Sequence, residues 1–193
     1  SLDRVQHGIS LQLLTYLLVL QSQGESLAGK KLTAAAAFYV QLLRRLEDVK
    51  NPQAAMAPDD PRYPLRVKPR GIFDAQFLPA LDGDFSGGAS DVVNAFVKKD
   101  GTIGWRNKSD AAEPAEFAAL LQHVEKRLGE LADEMISGKI DAAPYRMGQV
   151  TPCPRCAYRS VCRFDPAINQ YNSVRQLGRE EVLAQLAGGG NDV

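Results

Sequence analysis

Thr151-Pro-Cys153-Pro-Arg155-Cys156-Ala-Tyr-Arg159-Ser-Val-Cys162-Arg-Phe-Asp165 is the stretch on which the reading of this 193-residue chain turns, because all three cysteines lie there in a C-x2-C-x5-C spacing. A two-residue gap lets the sulfurs of Cys153 and Cys156 point the same way, so three thiols this close can face one soft metal centre. A thiolate-held metal or cluster needs a fourth ligand. The chain has no fourth cysteine. Either a histidine completes the set, or the ligand lies on polypeptide elsewhere. His7 and His123 are the only histidines, and neither forms an H-x3-5-H partner for the cysteines. A Cys3His zinc site and three incidental reduced cysteines therefore stand beside the cluster as alternatives. Arg155, Arg159 and Arg163 punctuate the loop, with Arg146 just before it. Arginines in such places offset thiolate charge or hold a DNA phosphate backbone.

The composition of the whole chain is that of a soluble globular protein, 45% apolar and 24% charged. Lys+Arg and Asp+Glu balance at 23 each, so a role on nucleic acid would have to rest on local basic patches. The longest apolar run, Leu11 to Leu20, is broken by Gln12, Thr15 and Tyr16. It is too short and too polar to span a bilayer, and it lacks the basic n-region and cleavage site of a signal peptide. Clustered cysteines in odd number argue against a secreted disulfide framework. The expected compartment is the cytoplasm, with no membrane partner.

The apolar pattern places the elements. Residues 7–22 read as a helix that follows Gly8 and ends by Gly24. Phe38, Tyr39 and Val40 favour a buried strand within 33–42. Residues 50–70 carry five prolines and read as an irregular surface excursion. A short strand is expected near 71–75, then a mobile glycine-rich segment from Asp82 to Ser90. Asp100-Gly101 signals a hairpin over residues 92–105. Phe117, Leu120, Leu121, Val124, Leu128, Leu131 and Met135 make one stripe on a helix from Pro114 to Ser137, with Gly138 just past its end. Residues 139–165 are expected to form a loop around the cysteines. A helix over 179–186 follows, and then a disordered tail at 187–193.

Gln12 and Tyr16 sit four apart, so on a helix they share one face. They form either a wet edge of an amphipathic helix or a pair of hydrogen-bonding groups for phosphate and sugar oxygens. The carboxylates lack the pattern for two-metal phosphodiester hydrolysis, which needs acidic groups converging on Mg²⁺ with a lysine nearby. There is no Glu-x-Lys; Asp48-Val49-Lys50 opens the proline-rich excursion, and Asp74, Asp82 and Asp84 have no matching lysine. No phosphate-binding G-x-x-x-x-G-K-[ST] loop is present, so ATP binding has no support.

Three segments in this order resemble one family. They are His7-Gly-Ile-Ser-Leu-Gln12-Leu-Leu-Thr-Tyr16-Leu, then Lys99-Asp-Gly-Thr102 with the long helix, then Pro144-Tyr145-Arg146 followed by the cysteine loop of 151–165. Together they are similar to the C-terminal end of the B subunit of AddAB-type helicase–nucleases, the second half of a RecB-like PD-(D/E)xK nuclease domain. The similarity runs from about residue 5 to residue 186. It implies that Gln12 and Tyr16 belong to a Gln-x-x-x-Tyr motif that flanks the nuclease site and contacts DNA. It also implies that Cys153, Cys156 and Cys162 are three of the four ligands of a 4Fe–4S cluster, the fourth cysteine lying far upstream. The Mg²⁺-binding Asp and Glu/Asp-x-Lys of the family fall before residue 1.

The expectation is therefore an α+β, helix-rich C-terminal half of a PD-(D/E)xK (restriction-endonuclease-like) nuclease domain over residues 1–186. It would carry one small sheet built from 33–42, 71–75 and the 92–105 hairpin, plus the cysteine loop. Its parent would be a DNA exonuclease that processes double-strand breaks with a helicase–nuclease A subunit, and the chain alone would not cleave. Strands parted from their neighbours would favour a dimer. The alternative is a non-catalytic zinc- or Fe–S-bearing module that binds DNA or protein. Arg155 and Arg159 join Gln12 and Tyr16 as expected DNA contacts.

Overall fold

Gly71 decides how the first sheet closes. The computed structural model of the chain describes residues 1–42 and 68–189. They divide into one unit over Leu20–Phe117 and another made of Ser1–Val19 with Ala118–Val193. In the Leu20–Phe117 unit, β1 (Ala36–Tyr39) pairs antiparallel with β2 (Arg70–Asp74), which sets Phe38 opposite Gly71. A Cβ on residue 71 would sit 2.0 Å from the Ala37 carbonyl oxygen, so only glycine lets the two backbones approach this closely. β2 runs parallel on its other side to a short strand, Ala111–Ala112, through Phe73 opposite Ala111. A strand held on both edges is buried: Ile72, Phe73 and Asp74 are all shielded from solvent. Phe73, Leu78, Val93, Ala95, Ile103 and Ala111 form the core, and Phe38 packs its ring 5.9 Å from that of Phe73.

Buried carboxylates in this unit serve the backbone. Asp74 ends β2 and accepts the Gln76 amide at 3.0 Å, capping a 3-10 turn (Ala75–Phe77) that leads into a short helix, Leu78–Leu81. Asp110 accepts Arg70 Nε at 2.9 Å and the Gly71 amide at 3.1 Å, and its bond to the guanidinium raises the Arg70 pKa. Asp82 accepts the Ser90 hydroxyl at 2.7 Å, and Ser90 Oγ in turn accepts the amides of Val92 and Val93. The glycine-rich 82–90 segment, expected to be mobile, is thus fixed by a buried serine–aspartate bond. It carries the strand β3 (Gly88–Ala89), antiparallel to β4 (Phe96–Val97).

The expected hairpin is present but belongs elsewhere. Asp100-Gly101 forms the turn with Gly101 at φ +82°, and Val97 bridges Ile103. β4 joins β3 in a separate two-stranded sheet, whereas the third strand of the main sheet is Ala111–Ala112, here β5. The reason is physical: a two-residue strand carries no alternation for a pattern to catch.

Helix boundaries moved as well. α1 spans Leu2–Gln6 and α2 spans Gln12–Ala28, so the helix expected over 7–22 starts later and runs further. Gly8 at φ +72° breaks the chain between them, and the amides of Ile9 and Ser10 turn back onto the Arg4 carbonyl. Gly24 does not end α2. It lies inside the helix because a Cβ there would meet Leu32 Cγ and its backbone nitrogen at 2.9 Å; Gly29, at φ +68°, follows the last turn. With Leu78–Leu81 as α3, the long helix α4 (Pro114–Ile136) matches its expected range, and Gly138 takes φ +75° beyond it.

In the unit of Ser1–Val19 with Ala118–Val193, Leu120, Leu121 and Val124 of α4 are buried, while Met135 and Ile136 are exposed. The stripe therefore buries only its earlier turns. α1 packs against α6 (Arg179–Ala187). Leu2, Val5, Val182 and Leu183 are buried in this unit, each side chain contributing about 1.5–3 kcal/mol. Residues 139–165, expected as loop, contain β6 (Tyr145–Met147), a 3-10 turn (Cys153–Arg155) and α5 (Arg159–Cys162); β6 runs parallel to β7 (Asn172–Val174). Asp48-Val49-Lys50, most of the proline-rich excursion and the last four residues of the tail lie outside the described residues. Among the described residues no helix is long and apolar enough to cross a membrane.

Candidate nucleic-acid site and cysteine loop

The first turn of α2 holds Gln12 and Tyr16 on one exposed face. Gln12 Nε2 donates to the Tyr16 hydroxyl at 2.9 Å, so the four-residue spacing becomes a direct bond. Leu11 and Leu14, on the opposite side of the same turn, are buried and fix the helix that presents the pair. Thr15 donates its hydroxyl back to the Leu11 carbonyl at 3.0 Å and leaves the outer face to its two neighbours. With its oxygen accepting from Gln12, the Tyr16 hydroxyl has its hydrogen free to donate outward. A hydroxyl already accepting one bond is the stronger donor of the next.

The cysteine loop is anchored at its C-terminal end. Phe164 packs against Tyr171 with ring centroids 4.6 Å apart, and the Arg146 guanidinium lies 5.2 Å from the Tyr171 ring. Asp165 holds the same end, its carboxylate accepting the Ala167 amide while its own amide donates to Asn169. Within the loop, Cys153 and Cys156 bracket the 3-10 turn, and the Cys156 amide donates to the Cys153 carbonyl at 3.3 Å. Cys162 ends α5, and Arg163 follows in a left-handed conformation at φ +50°. All three thiols are free; Cys153 is half-buried and accepts the Thr151 hydroxyl at 3.3 Å, while Cys156 and Cys162 are exposed.

The donor chemistry thus fits three soft ligands outside the core. The geometry does not complete a site: among the described residues no three His, Cys, Asp or Glu side chains are placed to hold a metal ion. Neither histidine is a partner for the loop. His7 Nε2 meets the Arg175 carbonyl at 2.8 Å, and His123 Nε2 meets the Gln6 carbonyl at 3.0 Å. Burial lowers the His123 pKa below its ordinary 6.5, with the Gln6 carbonyl opposing. The Cys3His zinc alternative is therefore not assembled among the described residues. Arg155 and Arg159 are exposed on the loop surface.

Sequence reading missed two features. The buried acids Asp74, Asp82 and Asp110 are structural, and the Asp74-x-Gln76 cap was their one legible signal. Trp105 is 65% exposed yet stacked on Phe96. Its neighbours Gly104 and Arg106 gave no sign of that position.

A family model described as the PD-(D/E)XK nuclease superfamily matches residues 1–163. The chain is similar to proteins named as the B subunit of an ATP-dependent helicase/deoxyribonuclease. It is 33% identical to that of Symbiobacterium thermophilum over 193 residues and 34% identical to that of Desulforudis audaxviator over 197 residues. Against that of Geobacillus kaustophilus it is 30% identical, with 98% of the chain covered. The chain spans 16% of the length of each of these relatives.

Proposed function

The chain belongs to the PD-(D/E)XK nuclease superfamily, and from that premise we propose that it is the DNA-positioning part of a nuclease domain within a larger helicase–nuclease subunit. The observation that carries this reading is the Gln12–Tyr16 pair, bonded at 2.9 Å on the exposed start of α2 inside the matched region. The Tyr16 hydroxyl donates to a phosphate oxygen of the bound strand. Gln12 orients that hydroxyl through its amide and keeps its own carbonyl for a sugar hydroxyl or water. Arg155 and Arg159 add charge along the same strand. A divalent ion such as Mg²⁺, held by carboxylates outside this chain, would activate the attacking water and neutralise the leaving oxygen.

Cys153, Cys156 and Cys162 would supply three thiolates to a 4Fe–4S cluster whose fourth ligand lies outside this chain. Their support is the spacing, the free thiols and the anchored loop. The cluster would tie the loop to a distant part of the domain, a structural role with no step in hydrolysis. A partner helicase–nuclease subunit, DNA ends as substrate and a cytoplasmic location complete the reading. The test is direct: the 193-residue chain, incubated with Mg²⁺ and linear DNA, should show no degradation above background. Robust cleavage abolished by replacing an acidic residue of this chain, such as Asp48→Ala, would overturn the reading.

A further inference from the structure

We propose that the hairpin around Trp105 is a platform for single-stranded nucleic acid, its indole stacking on an unpaired base while Lys98, Lys99 and Lys108 meet the phosphates. Trp105 is the only tryptophan of the chain, and it is 65% exposed while Phe73 and Val93 of the same unit are buried. It is nevertheless held in place. Its ring stacks on Phe96 at 4.4 Å with the planes 20° apart, and its carbonyl accepts the amides of Lys108 and Ser109 at 2.7 and 2.8 Å. The backbone sits at φ +49°, a left-handed conformation rare for a bulky residue.

Gly104 makes room for this arrangement, since a Cβ there would fall 2.5 Å from Phe96 Cδ1. The same position lies 3.4 Å from Lys98 Cγ, so the Lys98 stem runs beside the aromatic pair. One face of the indole stacks on Phe96, and 65% of the residue stays exposed.

Charge selects the occupant. Residues 98–108 hold Lys98, Lys99, Arg106 and Lys108 against one acid, Asp100, in a chain of zero formal net charge. Arg106 already pairs with Glu116 and lies 3.9 Å from Glu113. The Asp100 carboxylate accepts the Thr102 hydroxyl at 2.7 Å. The three lysines are exposed. Protein interfaces favour tryptophan but are depleted in lysine, whereas an aromatic ring flanked by cations is what a base and its phosphates require. A duplex hides its base faces, so the flat ring suits an unpaired strand and tolerates any sequence.

The test uses the full 193-residue chain without divalent metal, so it can fail or succeed independently of the Gln12–Tyr16 reading. Because Trp105 is the sole tryptophan, its emission reports this site alone. Titration with an oligo-dT of about 16 nucleotides should quench that emission saturably, with the midpoint given by anisotropy of the end-labelled strand. A duplex of equal length should quench less. Trp105→Leu should raise Kd roughly ten- to a hundredfold. A Lys98→Gln, Lys99→Gln double variant, which keeps the indole, should weaken binding and flatten its salt dependence. Three results would each overturn the proposal: no binding of oligo-dT, binding that leaves the emission unquenched, or an unchanged Kd for Trp105→Leu.

Discussion

Replacing Gly71 by alanine should break the β1–β2 pair, and the size of the effect follows from two distances. The new Cβ would lie 2.0 Å from the Ala37 carbonyl oxygen and 2.9 Å from Phe38 Cα. Both are backbone atoms, so no rotamer change relieves the clash. Restoring an ordinary contact requires β1 to retreat by roughly 1–1.5 Å, which stretches the ladder bonds beyond useful length. Phe38 would lose its seat on Phe73 in the same movement. Overpacking of this kind costs about 1–3 kcal/mol, and each lost backbone bond adds about 1 kcal/mol. A total of about 3–5 kcal/mol corresponds to a Tm lowered by roughly 6–20 °C for a chain of this size. Gly83 is the control, because nothing lies within 4 Å of a Cβ there. Thermal melts of Gly71→Ala and Gly83→Ala, followed by circular dichroism, make the comparison. Gly83→Ala should stay within about 0.5 kcal/mol of the unmodified chain. Equal Tm values for the two variants would refute the pairing of Phe38 with Gly71.

Three further outcomes are expected. Gly24→Ala, which in an open helix would stabilise by about 1 kcal/mol, should instead destabilise by about 1–2 kcal/mol because Leu32 blocks the new methyl at 2.9 Å; urea titration measures it. His123 resists protonation in the folded state, its pKa lying below the ordinary 6.5. Stability from neutral His123 is therefore complete above about pH 6.5 and falls as the pH drops through the folded value. Urea midpoints of His123→Gln should show a flatter decline below about pH 6.5 than the unmodified chain. If the proposed cluster forms, a longer protein containing the cysteine loop, purified without oxygen, should be brown with a broad absorbance near about 400 nm. Cys156→Ser should bleach it, and a colourless protein with one bound zinc would sink the cluster.

How much of this was legible in the sequence depended on length and distance along the chain. α4 was readable to within a residue because Pro114, the stripe from Phe117 and Gly138 all agree. α2 was shifted because Ile9 fits the same apolar spacing as Leu13 and Leu17, while the left-handed turn at Gly8 interrupts the backbone before the helix begins. Gly24 looked like a terminator because its true cause, the close approach of Leu32, is a tertiary contact that no local pattern carries. β1 and β2 had enough β-branched and aromatic residues to be seen, but Ala111–Ala112 had neither length nor propensity. The candidate site divides in the same way. Spacing put Gln12 and Tyr16 on one face and gathered the cysteines in one loop. It could not show that Gln12 bonds Tyr16, that His7 and His123 bond backbone carbonyls, or that Trp105 stands out from the hairpin.

Whether Gln12 and Tyr16 position DNA, as proposed, is decided by one pair of measurements. Tyr16→Phe and Gln12→Ala would be placed in a longer protein that carries the metal-binding carboxylates, and DNA-cleavage rate and Tm recorded on the same preparations. Both side chains are exposed, so Tm should move by no more than a surface change allows, about 0.5 kcal/mol in stability. The loss of one positioning hydrogen bond costs about 1–3 kcal/mol, and so the rate should fall roughly ten- to a hundredfold. Cleavage at the unmodified rate in both variants, with folding intact, would show that the pair does not position DNA.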